Sequence, residues 1–207
     1  MNRVWKLRAL GVATLMMAAA AYADLADPWK AMDIGDVGTK GSADLKDGKF
    51  TLKASGADIW DTADAFGFVY HRLTGDGTII AKVTSIDNTN EWAKGGVMVR
   101  EKLQPGSKMA MTAVSPGNKA FMEWRTDDGG ACDWSNNPVG DTAPYWVKLE
   151  RMGDKFTGSV SKDGKIWEPA GDQTIAMDKD VFVGLALTSH DNGQVAASVF
   201  ENVAVSR

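Results

Sequence analysis

The chain is poor in the residues that usually announce chemistry. It holds one cysteine, Cys132, and two histidines, His71 and His190. A single thiol forms no internal disulfide. Asp127, Asp128 and Asp133 surround it and disfavour a thiolate, so an inert thiol is expected. Two histidines far apart and one cysteine make no transition-metal set. No Gly-x-Ser-x-Gly elbow is present. Ser189-His190-Asp191 is contiguous, which sends successive side chains to opposite faces of a strand and excludes a triad. The chain has only six prolines and no low-complexity run, so nothing marks a linker between domains. Beyond the N-terminus no 3.6-residue apolar period is sustained, which excludes connecting helices and with them a parallel α/β sheet.

Positive charge is also short, 23 Lys and Arg against 27 Asp and Glu. Three of the basic residues, Arg3, Lys6 and Arg8, precede the apolar run Ala9–Ala21. That run is too short to span a bilayer comfortably, and Ala21-Tyr22-Ala23 has a small-x-small cleavage pattern. Residues 1–23 are therefore predicted to be a secretory signal peptide, and residues 24–207 a single exported domain with no membrane span after cleavage. Removing the leader makes the remainder more acidic still. That argues against nucleic acid or an anionic membrane as partner and leaves neutral sugars or cations.

What is present is alternation. Lys49–Ala54, Thr78–Ser85, Gly95–Leu103, Lys108–Val114, Lys119–Thr126, Tyr145–Met152, Lys155–Ser161, Lys165–Trp167, Val181–His190 and Gln194–Val205 read as strands. Asp47-Gly48, Gly153-Asp154 and Asp163-Gly164 mark tight turns. Asp127–Ala143 is the longest irregular stretch. Ser55–Leu73 joins an acidic loop, with Asp58, Asp61 and Asp64 around Trp60, to an alternating strand, expected to be half-buried, that sets Phe66, Phe68 and Tyr70 against Ala65, Gly67, Val69 and His71. Short strands at regular spacing without helices predict an all-β, antiparallel β-sandwich.

An ordered set of segments makes the reading more specific. Gly56-Ala-Asp-Ile-Trp60, Asp64-Ala-Phe-Gly-Phe-Val-Tyr70, Trp92–Glu101, Pro144–Leu149, Phe156-Thr-Gly158 and Val183–His190 together resemble the DUF1349 family. The resemblance spans nearly all of residues 29–205. It implies a concanavalin A-like (laminin G/lectin/glucanase) jelly roll in a bacterial exported protein, periplasmic or extracellular, of a kind found beside glycan-active or surface domains. It brings no settled activity.

Sugar binding needs flat aromatic faces with polar neighbours. Seven tryptophans follow the leader. The alternation of Tyr145–Arg151 and Lys119–Arg125 predicts that Trp146 and Trp124 face away from the core with Arg100 nearby, while Trp60, Trp92 and Trp134 fall in loops. The expected ligand-binding set is Trp60, Asp64, His71, Arg100, Trp124, Trp146 and His190. Asp58, Asp61 and Asp64 could offer calcium several oxygens, against the alternative that they cap turns. Glu101, Glu123 and Glu150 stand alone on different strands, where cross-strand charge pairing is the plainer role. The leading expectation is a non-catalytic module for a polysaccharide or glycan-bearing surface. A glycoside hydrolase with carboxylates converging from separate strands is the alternative, and a periplasmic structural or protein-interaction domain the third. Ser161–Trp167, which resembles an Asp-box one residue short, is expected to be a structural hairpin.

Overall fold

A computed structural model describes Tyr22 and residues 25–207. The predicted signal peptide, residues 1–23, lies outside the described residues except for Tyr22, whose hydroxyl donates to Asp33 Oδ1 at 2.6 Å. Fourteen strands follow: β1 Lys30–Ile34, β2 Ser42–Lys46, β3 Lys49–Ala54, β4 Phe66–Thr74, β5 Gly77–Ile86, β6 Lys94–Arg100 and β7 Met109–Ser115; then β8 Lys119–Arg125, β9 Asp133–Trp134, β10 Tyr145–Met152, β11 Lys155–Ser161, β12 Glu168–Thr174, β13 Asp180–Thr188 and β14 Ala196–Ser206. The described residues contain no helix, hence none long and apolar enough to cross a membrane.

The strands form two seven-stranded sheets, β1-β4-β13-β6-β7-β8-β9 and β12-β11-β10-β5-β14-β3-β2. Every pairing is antiparallel. The predicted antiparallel sandwich is what the chain forms.

The two sheets are buried differently. In the second, β10 buries Tyr145, Val147 and Leu149 and turns Trp146, Lys148 and Glu150 outward; β5 does the same with Ile79, Ala81 and Val83. These meet Val97, Val99, Val183 and Leu185 of the first sheet. Each such aliphatic side chain contributes about 1.5–3 kcal/mol by leaving water. In the first sheet, β6 and β7 are buried at every residue. Its outer face carries a second apolar cluster of Phe66, Phe68, Tyr70, Met98, Met111 and Phe121, roofed by loops.

That second cluster corrects the half-buried reading of β4. Phe66–Tyr70 is buried without interruption. Val69 and Leu73 point between the sheets, and the aromatic residues point outward under the loops. Alternation reports a difference between two faces; it does not say which face meets the partner sheet.

Two further corrections concern strands. Lys165–Trp167 is not a strand. The pairing segment is β12, one residue later, joined to β11 across a register shift at Gly158/Ser159. Pro169 and Gly171 weaken its sequence signal, and both are tolerated because β12 is an edge. Asp163 does close the preceding hairpin, accepting from the Lys165 and Ile166 amides at 2.8 and 3.0 Å. Within the irregular Asp127–Ala143 stretch, β9 pairs with β8.

Two glycines position the loop between β3 and β4. Gly35 (φ 75°) and Gly56 (φ 146°) press against its closing backbone. A Cβ on Gly56 would stand 1.9 Å from the Ala65 carbonyl oxygen, and one on Gly35 2.0 Å from that of Asp64.

Candidate functional site

Charged residues on the outer face of the first sheet hold the 55–65 loop down. Along β6 the outward set is Lys94, Met98 and Arg100; along β8 it is Phe121, Glu123 and Arg125. Arg125 grips Asp64 with two parallel bonds, Nη2 to Oδ1 at 2.6 Å and Nη1 to Oδ2 at 2.9 Å. Arg100 Nη1 reaches the same Oδ2 at 3.1 Å. All three side chains are fully buried. Their remaining donors meet backbone carbonyls of three loops: Trp60, Asp61, Lys102, Gln104, Ser107 and Gly130. A buried ion cluster survives only when its donors and acceptors are matched this way. It binds the 55–65, 101–108 and 126–132 loops to the sheet.

Beside that anchor the loops leave a pocket of about 290 Å³. Its walls are aromatic. Trp92 and Trp134 meet edge to face at 5.7 Å, each braced on Phe121 at 6.0 and 5.7 Å. Trp60 completes the lining, with Lys94 Nζ 5.2 Å from its ring centre. The polar lining is Asp58, Lys94, Glu123 and His190. Lys94 Nζ contacts Asp58 Oδ1, Glu123 Oε2 and the Ile59 carbonyl oxygen, each at 2.9 Å. The two carboxylate oxygens are therefore no more than twice that distance apart. His190 closes the rim with Nδ1 3.2 Å from Asp58 Oδ2; its left-handed backbone (φ 54°) is a conformation few non-glycine residues hold.

Glu123 is the unusual member. It is completely buried, and its Oε1 has no hydrogen-bond partner. Burial raises its pKa to about 7, with Asp58 adding like charge and Lys94 only partly opposing. Lys94 moves the other way from what its burial favours: two carboxylates outweigh desolvation and hold its charge, raising its pKa. One lysine shared between two acids stabilises the cation well and each anion poorly.

The residues expected from sequence are distributed as follows. Trp60 and His190 line the pocket. Asp64 and Arg100 lie in the buried anchor beneath it. His71 packs edge-on against Trp29 at 4.6 Å and lies away from the pocket. Trp124 does not face outward. With Ala120 and Met122 it packs into the core between the sheets, because the outward residues of β8 are Phe121, Glu123 and Arg125. Trp146 does face away from the core, but on the second sheet, beside Gly164. The phase of β8 was ambiguous in sequence because both of its faces are apolar. Trp92, Trp134, Lys94 and Glu123 complete the site. No local signal joins them; the charge pairing expected for Glu123 was a hint, since its partner Lys94 lies on the next strand but one.

The three aspartates of the loop diverge. Asp64 is engaged by two arginines, Asp58 by Lys94, and Asp61 is exposed, its carbonyl accepting from the Cys132 and Arg125 N–H groups. Among the described residues no group of three His, Cys, Asp or Glu is arranged to hold a metal. A chelator is expected to leave the melting temperature unchanged, whereas a calcium ion bound only to the folded state would raise it. Burial pushes the Cys132 thiol well up, with Glu123 and Asp64 adding to that, so the thiol stays protonated.

No family model matches this chain, and no curated protein matches it. Solved structures do. A functionally unknown protein from Saccharomyces cerevisiae superposes with a TM-score of 0.65 at 19% identity, over 80% of this chain and 91% of that one. The carbohydrate-binding module CBM66 from Bacillus subtilis gives 0.58 at 17%, over 86% and 95%. Lectin I-B4 from Griffonia simplicifolia gives 0.52 at 6%, over 89% and 96%. At these identities the likeness is one of fold.

Proposed function

We propose that this chain is an exported, non-catalytic module that binds carbohydrate in the pocket walled by Trp60, Trp92 and Trp134. The observation that carries the reading is the meeting of three indole rings with a buried carboxylate whose Oε1 has no partner. A sugar ring offers both complements, a C–H face for an indole and hydroxyl donors for the oxygen. The volume is at the small end for ligand sites, roughly 300–1,000 Å³, and suits a single ring better than a chain. A carbohydrate-binding module and a lectin among the structures of like fold support the same class.

Replacing Trp92 or Trp134 by alanine is expected to weaken binding about tenfold each, the loss of one stacked face. Trp146→Ala, on the other sheet, is expected to be silent. A glycan array followed by titration of tryptophan fluorescence measures both. A blank array, or an affinity unchanged in the Trp92→Ala/Trp134→Ala double variant, sinks the proposal.

One observation favours a second reading, glycoside hydrolysis. Asp58 and Glu123 converge from a loop and a strand to a separation compatible with the roughly 5–5.5 Å of retaining glycosidases, and Glu123 is poised to carry a proton near neutrality. Binding is preferred because Lys94 holds an oxygen of each carboxylate. Reducing-sugar release that disappears in Glu123→Gln would decide for the enzyme.

A further inference from the structure

We propose that the pocket selects a sugar bearing a free ammonium group over neutral and acidic sugars, an inference that rests on the sugar-binding reading above. Lys94 has three N–H donors; the Ile59 carbonyl and Glu123 Oε2 accept two of them at 2.9 Å, and Asp58 Oδ1 stands at the same distance as its ion-pair partner. It has nothing left to offer a ligand. Once Glu123 is ionised, above about pH 7, the single charge of Lys94 is divided between two carboxylates, so Asp58, Lys94 and Glu123 together keep one negative charge. The oxygen left without a donor, Glu123 Oε1, belongs to a side chain with no exposure to solvent, on the same wall as the indoles.

Each class of sugar meets this lining differently. An ammonium brings N–H donors to Oε1 and the missing positive charge at once; charge-assisted bonds of that kind are about twice as strong as neutral ones. The indole faces of Trp92 and Trp134 add attraction for a cation, as Trp60 already does for Lys94. A neutral sugar supplies only a hydroxyl donor. A uronate would bring a third carboxylate beside Asp58 and Glu123, at the cost of like-charge repulsion.

The full chain is titrated, by tryptophan fluorescence or calorimetry, with three oligosaccharides of equal length: a glucosamine oligomer, its N-acetylated counterpart and an oligogalacturonate. The amine is expected to bind at least about tenfold more tightly than the acetylated form, with the uronate weakest. In Glu123→Gln the ratio of amine to acetyl affinity should fall towards one. Asp58→Asn, on the more open side of the pocket, should reduce the same ratio and serves if the first variant does not fold. An acetylated oligomer that binds as well as the amine overturns the inference while leaving sugar binding intact. So does a preference that survives both substitutions. Failure of all three ligands together with a blank glycan array removes the sugar-binding reading itself.

Discussion

Asp64→Ala is expected to cost about 3–5 kcal/mol, a large share of the roughly 5–15 kcal/mol that keeps a typical domain folded. The substitution leaves Arg100 and Arg125 fully buried with no counter-ion. Neither guanidinium can shed its proton to escape, and water cannot reach either without opening the loops. The carbonyls of Trp60, Asp61, Ser107 and Gly130 still accept from Arg125, but they carry no charge to offset it. Asp64→Asn keeps the shape, loses the charge and should fall between wild type and alanine. Asp61→Asn, three residues away, is expected to change stability by less than about 0.5 kcal/mol, because that side chain is exposed and asparagine tolerates its left-handed backbone. Urea unfolding monitored by tryptophan fluorescence reads all three. A loss below about 1 kcal/mol for Asp64→Ala would mean that the loops are held by something other than this ion cluster.

The second large effect is a pH dependence in Glu123. Its folded pKa, about 7, lies above the ordinary 4.5. Between those values the folded chain retains a proton that the unfolded chain has released, so folding is favoured by acid across that window. The contribution is fully present below about pH 4.5 and is lost as pH rises through about 7. The span corresponds to something on the order of 3 kcal/mol. Glu123→Gln removes the titration while keeping the shape and one oxygen for Lys94 to donate to. The variant is expected to gain on wild type as pH rises from 4.5 to 7.5, whichever is the more stable at the acid end. Parallel stability curves for the two proteins over that range would show that Glu123 titrates normally and that the pocket is better hydrated than its burial indicates. Lys94 does not confuse the measurement, since its pKa is raised from an already high value and it stays charged throughout.

These two groups show how far a linear reading reaches. The antiparallel sandwich follows from the chain because period-two alternation, Gly-containing turns and the absence of a helical period are local properties. The hairpin at Asp163 is legible for the same reason. Trp60 and His190 are within reach of sequence as pocket residues, because the 55–65 loop is acidic and aromatic and His190 ends a strand; Asp58 is legible there only as a possible calcium ligand. Glu123 was visible as a lone acid on β8 whose expected role, charge pairing, is what it does with Lys94. Trp92 and Trp134 could be assigned to loops and no further. The phase of β8 was not legible: Phe121 and Met122, on opposite faces, are equally apolar, and only the packing of Met122 and Trp124 against the second sheet settles which way Glu123 and Arg125 turn.

The Ser55–Leu73 stretch divides along the same line. Its alternation and its acids are facts of sequence, and they make β4 a strand and the preceding residues a loop. What each acid does was decided by residues 30 or more positions away. Arg100 and Arg125 take Asp64 into the interior, Lys94 draws Asp58 to Glu123, and Asp61 is left in solvent. Backbone preference and amphipathic period act over a few residues and are written in order along the chain. The partner of a buried charge is whichever opposite charge the sheet order brings within about 3 Å, and here that order places β6 and β8 on either side of β7 beneath a loop from between β3 and β4.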